Sequence, residues 1–467
     1  MKWMVLCCGT SVLLCTGFLR VQTSTQTDAI REEFTSKDQS HAEAASFPCC
    51  IYDPNPSHIW NRLHASLLIR EDLPGANHDT DSLDPLFWST TKYLLAAPSH
   101  QRALGVLDEF LQTHAENLIH DPVKHAILQR DLWAVFDWSV QRQRPQGDPV
   151  YEREKRELQI RLAEVLQRLA LTPEQIESLP DSYAQAVASE EFPKEYDPAH
   201  RDRAFLPPDL FEQRGPWVAI LNGGYAEPVA TAHVSAFSGR SRFLVFVRLP
   251  EGRKATLSYF QTLWNFPQPW VPRRDGAPDQ TVENPDLPQF PVGTQVALAR
   301  QMMLFDSQGN LVRAPITESV QIRVYRTIPA RHHAIHEEQD FYEIRLSRTR
   351  LFTGKAGGLR AIEPDEKEFP IFQARGPDEF EGPGDQYTPL ERYPGVLEQC
   401  ASCHSKPGIN SLNSRRKLLK PNLLQHDSPS AYPARWWEND GTAYWKQNRY
   451  DWGLLNGYWN ARNGPQD

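Results

Sequence analysis

VQIRVYR, residues 320–326, alternates apolar and polar side chains. Successive side chains of a β-strand point to opposite faces, so the alternation predicts a strand in which Ile322 and Val324 face a core. Arg323 and Tyr325 are predicted to point to the other side of the same strand. The pattern therefore indicates a sheet with one solvent-facing side.

Five more segments within residues 205–350 are predicted as strands because β-branched, aromatic and other apolar residues dominate them. They are WVAIL (217–221), FLVFVRL (243–249), ATLSYF (255–260), TQVALARQMMLF (294–305) and FYEIRLSR (341–348). The DSQGN sequence at 306–310 predicts a hairpin turn. Because no helix is expected between these strands, a central antiparallel β sandwich or barrel-like domain is predicted over 205–350.

Residues 55–200 are predicted to form an α-helical domain. Five apolar residues recur at the spacing of one helix face: Leu158, Leu162, Val165, Leu166 and Leu169. The aromatic-rich stretch 122–138, PVKHAILQRDLWAVFDW, is also expected to be helical. Thr172-Pro173-Glu174 predicts an N-cap followed by a first-turn proline, and hence the start of a further helix.

Composition and length place the chain among large folded proteins. It has 467 residues, of which 40% are hydrophobic and 10% aromatic, so several domains with packed cores are expected. The formal net charge of −9 argues against a general nucleic-acid binder. The predicted class is multidomain α+β: the helical domain, the β domain, a Gly-, Pro- and acid-rich linker at 351–385, and a small α-helical unit at 386–467.

The N-terminus predicts export. Residues 1–23 have one lysine before a short apolar run, Trp3 to Leu14, as in a secretory signal peptide. That run is shorter than the roughly 20 residues of a transmembrane helix, and no later segment is expected to cross a membrane. Residues 24–54 are predicted to be a flexible polar leader. The bacterial periplasm is the expected location, with a signal-anchored form or a form lipid-anchored at Cys15 as alternatives.

Residues 400–404 read CASCH, and Cys-x-x-Cys-His is the attachment signature of c-type haem. Residues three and four apart share a helix face, so Cys400, Cys403 and His404 can address one planar ligand. The thiols would form thioethers with the haem vinyl groups, and His404 would bind the iron. The other ring nitrogen of His404 needs an acceptor, commonly a backbone carbonyl, which the Pro407-Gly408 turn is predicted to supply.

On this motif, residues 386–467 resemble a bacterial cytochrome c domain. The resemblance implies one covalent haem c, electron transfer, and a C-terminal aromatic helix that crosses the helix of the motif. A typical member has a downstream methionine as second axial ligand, but no methionine follows His404. His426, the only histidine downstream, is therefore the predicted distal metal ligand. Met302, Met303 or an open position are the alternatives.

Other interpretations of the CxxC pair stay open. A disulfide redox motif usually follows a strand in a βαβ unit, which the residues before Cys400 do not predict. A zinc site would need a second ligand pair, and no further CxxC or CxxH motif occurs. Cys49 and Cys50 are expected to pair as a structural disulfide, with two separate thiols as the alternative. His332, His333 and His336 form either a metal cluster or a polar loop.

Residues 415–420 contain a cationic cluster close to the motif: Arg415, Arg416, Lys417 and Lys420. It is interpreted as a docking rim for an acidic redox partner or as an ordinary solvated face. The predicted function is one-electron transfer by an exported cytochrome-like protein. The alternatives are a haem-dependent oxidoreductase of the peroxidase kind, and an exported binding or scaffold protein whose CxxC is a disulfide.

Overall fold

A computed structural model describes residues 50–68, 70–73, 76–78, 81, 93–95, 97–140, 151–220, 228, 230–272, 281–328, 338–364, 366, 396–412 and 441–463. Residues Cys49–Asp467 form one compact unit. Helices and an antiparallel sheet occur together in it, which confirms the predicted α+β class. The predicted signal peptide, nearly all of the leader and most of the predicted linker lie outside the described residues.

Six α-helices precede the main sheet in the described part of the chain. They are α1 (Ile59–Leu68), α2 (Ala97–Gln112), α3 (Pro122–Val140), α4 (Glu152–Leu169), α5 (Pro173–Glu177) and α6 (Ser182–Ala188). A short hairpin, β1 (Arg70–Leu73) and β2 (Ala76–His78), lies between α1 and α2. All five residues of the predicted apolar face of α4 are buried, and Thr172 caps α5 in a capping box with Gln175. Both predictions are confirmed.

The main sheet has six antiparallel strands in the order β10-β9-β8-β7-β4-β3. They are β3 (Val218–Ile220), β4 (Ser241–Arg248), β7 (Gln295–Phe305), β8 (Leu311–Tyr325), β9 (Gln339–Leu346) and β10 (Leu359–Ala361). A separate ribbon pairs β5 (Trp270–Pro272) with β6 (Thr281–Glu283). The predicted turn joins β7 to β8, and the Asp306 carboxylate accepts the backbone N–H groups of Gln308 and Asn310 at 2.9 Å.

Six further α-helices are described in the sheet region and after it: α7 (Thr231–Ala236), α8 (Arg253–Trp264), α9 (Arg348–Phe352), α10 (Val396–Cys403), α11 (Gly441–Gln447) and α12 (Tyr450–Asn463). Two of them lie between strands of the main sheet, α7 between β3 and β4 and α8 between β4 and β7. The expectation of strands without intervening helices is therefore wrong.

Residues 255–260, predicted as a strand, lie in helix α8. Thr256, Phe260 and Leu263 recur at helical spacing and are buried, and a short apolar run cannot by itself distinguish a strand from a helix. The predicted sandwich or barrel is also wrong for the described residues, because six strands form one open sheet and β5 and β6 form only a separate two-stranded ribbon. Helices take the place of a second sheet by covering the first.

The main sheet is covered on both faces. Ile322 and Val324 pack in a cluster with residues of α3, α5 and α6. On the opposite face Tyr325 packs in a cluster with residues of α8 and with Ile409. Arg323 and Tyr325 are consequently 7% and 0% exposed, and the prediction of a solvent-facing side is wrong. An alternating pattern predicts how polar each face of a strand is. It does not predict whether other parts of the chain cover that face.

Helix α3 fixes the C-terminal part of the chain. Every residue from Ala126 to Ser139 is buried, and Asp137 accepts hydrogen bonds from Lys446 Nζ of α11 at 2.8 Å and from Arg240 Nη1 at 2.6 Å. Helix α12 adds three residues to the cluster that contains Trp133 of α3: Trp452, Leu455 and Trp459. The aromatic C-terminal helix therefore packs in the helical layer.

Candidate haem-binding site

The CASCH motif lies at the end of helix α10, which packs against β9. The helix begins where Val396 N–H donates to the Glu366 carbonyl at 3.1 Å. His404 N–H donates to the Cys400 carbonyl at 3.1 Å, so the helical turn continues through the histidine. Cys400 is half-buried and Cys403 is exposed. One helical turn thus holds the two thiols and the imidazole, as the spacing predicts.

The ring of His404 is fixed by a backbone carbonyl. Its Nδ1 lies 2.7 Å from the carbonyl oxygen of Ser411. A carbonyl only accepts hydrogen bonds, so Nδ1 carries the proton and Nε2 retains a lone pair for a metal ion. The predicted kind of acceptor is present, but it is Ser411 rather than the Pro407-Gly408 turn. That turn leads into the 3₁₀ turn Gly408–Ser411, which brings the Ser411 carbonyl back to the ring.

The turn after the motif depends on Gly408. Its φ is +52°, a conformation that side chains other than glycine rarely adopt, and an added Cβ would lie 2.1 Å from Gln289 Oε1. The same Gln289 oxygen accepts the N–H of Ile409 at 3.1 Å. Ile409 is buried in the cluster beneath the sheet. Gly408 therefore allows the close contact that docks this segment on the sheet.

The Ser411 side chain joins the motif to strand β8. Its Oγ accepts from Arg323 Nη1 at 3.0 Å, donates to the Gly408 carbonyl at 2.8 Å, and is hydrogen-bonded to the Tyr325 hydroxyl. Burial raises the pKa of Tyr325 above its usual value, so this phenol is neutral at pH 7. The polar residues that alternate along β8 thus serve to hold the segment that orients His404.

Arg323 also controls the charge of the candidate ligand. Its guanidinium, followed by burial, lowers the pKa of His404 to about 3. The imidazole is therefore neutral at pH 7, which is the form that binds a metal ion. Arg300 is also buried; its Nε donates to the Glu318 carboxylate at 2.9 Å, and its guanidinium lies 3.7 Å from the centroid of the Phe237 ring.

His233 was not predicted from the sequence as a site residue. Its ring is parallel to that of His404, with an interplanar angle of 8° and a centroid distance of 6.2 Å. His233 is in helix α7, which packs against β4. The surrounding sequence, TAHVSA, contains no ligand spacing that could have identified it. Only the order of strands in the sheet brings α7 beside the CASCH segment.

Several predicted residues lie outside the described part of the chain. These are His426, the cationic cluster Arg415, Arg416, Lys417 and Lys420, the histidines His332, His333 and His336, and Cys49. Cys50 is described and half-buried. Met302 and Met303 are fully buried, each in a different hydrophobic cluster. Among the described residues, no group of three or more His, Cys, Asp or Glu side chains could hold a metal ion.

The residues present fit a covalent haem. Two thiols and a neutral imidazole are supplied by one helical turn, and the second ring nitrogen of that imidazole is already bound. Haem carries two carboxylates, and the guanidinium group of Arg323 on the sheet face suits one of them.

No helix within the described ranges is long and apolar enough to cross a membrane. Neither a family model, nor a curated protein, nor a solved structure matches this chain.

Proposed function

We propose that the chain is an exported c-type cytochrome-like protein that carries one covalent haem and transfers single electrons. Cys400 and Cys403 are the thioether anchors and His404 is the proximal iron ligand. One observation supports this most strongly: His404 Nδ1–H donates to the Ser411 carbonyl at 2.7 Å, so Nε2 remains available beside both thiols. A disulfide motif has no need for an imidazole held in this tautomer, whereas a histidine that binds a metal ion does.

Each group around the motif has a separate task. Haem iron, when bound, supplies a one-electron couple between the ferrous and ferric states. The two thiols fix the position of the group, and the Ser411 carbonyl fixes the tautomer of His404 and increases its basicity. Arg323 adds a positive charge close to the ligand, which favours the less positively charged ferrous state and attracts carboxylates.

Export is part of the proposal because residues 1–23 have the composition of a secretory signal. The periplasm is the proposed location, and an anchored form is the alternative. A redox partner is proposed to dock at Arg415, Arg416, Lys417 and Lys420.

The test is expression of the full chain together with the c-type maturation machinery, followed by haem staining of the denatured protein and a pyridine haemochrome spectrum. We expect one covalent haem per chain in the natural sequence and none in Cys400→Ala/Cys403→Ala. Cys50→Ala is the matched control, because it removes a half-buried cysteine outside the motif, and it should keep the haem.

Natural protein without covalent haem would contradict the proposal. Thiol trapping then distinguishes what remains. Oxidised Cys400 and Cys403 would favour the alternative of an exported binding or scaffold protein with a disulfide, as expected in an oxidising compartment.

A further inference from the structure

The imidazoles of His233 and His404 are close without being packed face to face. Their planes are 8° apart and their centroids are separated by 6.2 Å, whereas rings in direct face contact lie about 3.5–4.0 Å apart. Offset aromatic pairs also occur at about 4.5–7 Å. The pair is therefore either an offset stack or two ligands of one metal ion.

The spacing matches two imidazoles on opposite sides of one metal ion. A metal–nitrogen bond of about 2.0 Å and about 1.1 Å from that nitrogen to the ring centre place each centroid about 3.1 Å from the metal, and the two centroids about 6.2 Å apart. The observed distance is 6.2 Å. Parallel ring planes are compatible with this arrangement, since both rings can share one plane through the metal.

We infer that His233 is the second axial ligand of the haem iron, opposite His404. The inference rests on the proposed function, since it requires haem at Cys400 and Cys403. It assigns the sixth position to the segment between β3 and β4. The sequence-based prediction for that position is His426, which lies in another part of the chain.

Helix α7 is fixed at its C-terminal end, so it can present a ligand in one position. Val234 is fully buried, and its carbonyl accepts the N–H of Gly239 at 2.9 Å, which closes the turn after the helix. The guanidinium of Arg300 lies 3.7 Å from the centroid of the Phe237 ring, at the end of α7. The His233 ring itself lies 5.3 Å from the Phe243 ring of β4.

Helix α11 packs against Gly239, in the turn that follows α7. An added Cβ at Gly239 would lie 3.0 Å from the Cβ of Lys446 and 3.1 Å from the Trp445 ring. Lys446 is in turn bound to Asp137 of α3 at 2.8 Å. The position of His233 is thus tied through α11 to the centre of the helical layer.

The assignment decides between two of the possible functions. With histidines on both sides, the iron has no exchangeable position, so peroxide or a small gas cannot bind without displacing a ligand. Electron transfer is then favoured over a peroxidase-like activity. Two histidines also give a lower reduction potential than a histidine–methionine pair.

The experiment compares matured holo-protein of the natural sequence with His233→Ala, His233→Met, His426→Ala and His200→Ala. His200 is exposed, pairs with Asp197 and serves as the matched control. The readouts are low-temperature EPR of the ferric state, ferrous spectra with and without carbon monoxide, and the reduction potential. We expect low-spin iron that does not bind carbon monoxide in the natural protein, in His426→Ala and in His200→Ala.

His233→Ala should become high-spin and bind carbon monoxide, and added imidazole should restore the low-spin spectrum. His233→Met should stay low-spin with a raised potential, and it carries the test if the alanine variant gives little holo-protein. An unchanged potential in His233→Met, or low-spin iron lost in His426→Ala instead, would overturn the inference. Carbon monoxide binding by the natural protein would also overturn it, leaving an offset stack. Haem staining separates these outcomes from failure of the proposed function, in which no covalent haem is found.

Discussion

The two faces of the main sheet come from the same strands and are both buried, yet they hold different kinds of side chain. Toward the helical layer, β8 presents Val320, Ile322 and Val324, each no more than 2% exposed. Toward the candidate haem site the same strand presents Gln321 and Arg323. The first face packs against α3, α5 and α6, of which α3 and α5 were predicted from the sequence. The second is covered by the CASCH segment and α8.

The difference shows which face stabilises the fold and which face positions the site. Buried apolar side chains need only close packing, whereas buried polar groups need hydrogen-bond partners. Gln321 donates to Glu343 at 3.2 Å, and Arg323 donates to Ser411 at 3.0 Å. A polar face buried with specific partners constrains where the covering segment lies, and here that segment orients His404.

The largest effect on stability is expected from Ile322→Ala, on the helix-facing side. The substitution leaves a cavity in a fully buried cluster and should lower the free energy of unfolding by about 2–5 kcal/mol, measured by urea denaturation. Ile160→Ala is the control, because Ile160 on α4 is 41% exposed; its effect should stay within about 0.5 kcal/mol. Equal losses in the two variants would contradict the assignment of this face as the core.

The turn on the site-facing side is tested by Gly408→Ala. The positive φ and the contact with Gln289 should lower the free energy of unfolding by about 1–3 kcal/mol and reduce the yield of holo-protein. Gly105→Ala in α2 is matched to it, since nothing lies within 4 Å of its added Cβ. That variant should be stabilised by about 0.5–1 kcal/mol, because alanine favours a helix interior. If both variants changed in the same direction, the docking role of Gly408 would be wrong.

Arg323→Gln tests whether Arg323 affects the reduction potential of the site more than it affects the stability of the fold. Removal of a positive charge near the candidate ligand should lower the reduction potential, by on the order of tens of millivolts, because the ferric state is no longer disfavoured. Loss of the hydrogen bond to Ser411 should lower the free energy of unfolding by only about 1 kcal/mol. Arg323→Lys keeps the charge and should keep most of the potential in a potentiometric titration. If the reduction potentials of the two Arg323 variants followed their free energies of unfolding rather than their charges, Arg323 would not act on the site through its charge.

The smallest effect is expected where the helix of the motif begins. Arg360 and Glu366 form a half-buried pair with contacts of 2.7 and 2.8 Å. Burial raises the pKa of Glu366, but the hydrogen bond and charge of Arg360 outweigh it, so the net pKa is below the usual 4.5. A carboxylate with a lowered pKa stabilises the fold above its unfolded pKa, and this contribution is lost as the pH falls through the folded value.

Arg360→Ala should therefore lower the free energy of unfolding by less than about 1 kcal/mol at pH 7. The difference from the natural protein should shrink as the pH falls below 4.5. Arg62→Ala is the comparison, since Arg62 binds Glu109 with the same 2.7 Å geometry on a more exposed surface. Denaturation curves at several pH values measure both, and a pH-independent loss in Arg360→Ala would contradict the role of Glu366.

Local patterns predicted the parts of the fold that local interactions decide. Helix α4 and the cap at Thr172 were predicted correctly, since their apolar spacing and capping residues act within one or two turns. Residues 255–260 were not, because six residues rich in apolar and aromatic side chains satisfy both a strand and a helix until the sheet is assembled. The open six-stranded sheet was missed for the same reason, since α7 and α8, the helices that lie between its strands, were not predicted.

In the candidate site, too, some features follow from the local sequence and others from the tertiary structure. The sequence by itself placed Cys400, Cys403 and His404 together, because residues three and four apart are neighbours on one helical turn. Tertiary structure decided that Arg323 is buried, that Ser411 supplies the carbonyl, and that the His233 ring lies parallel to that of His404. These contacts depend on the order of strands in the sheet and on the segments packed over it. No spacing along the chain encodes the meeting of residues so far apart in sequence.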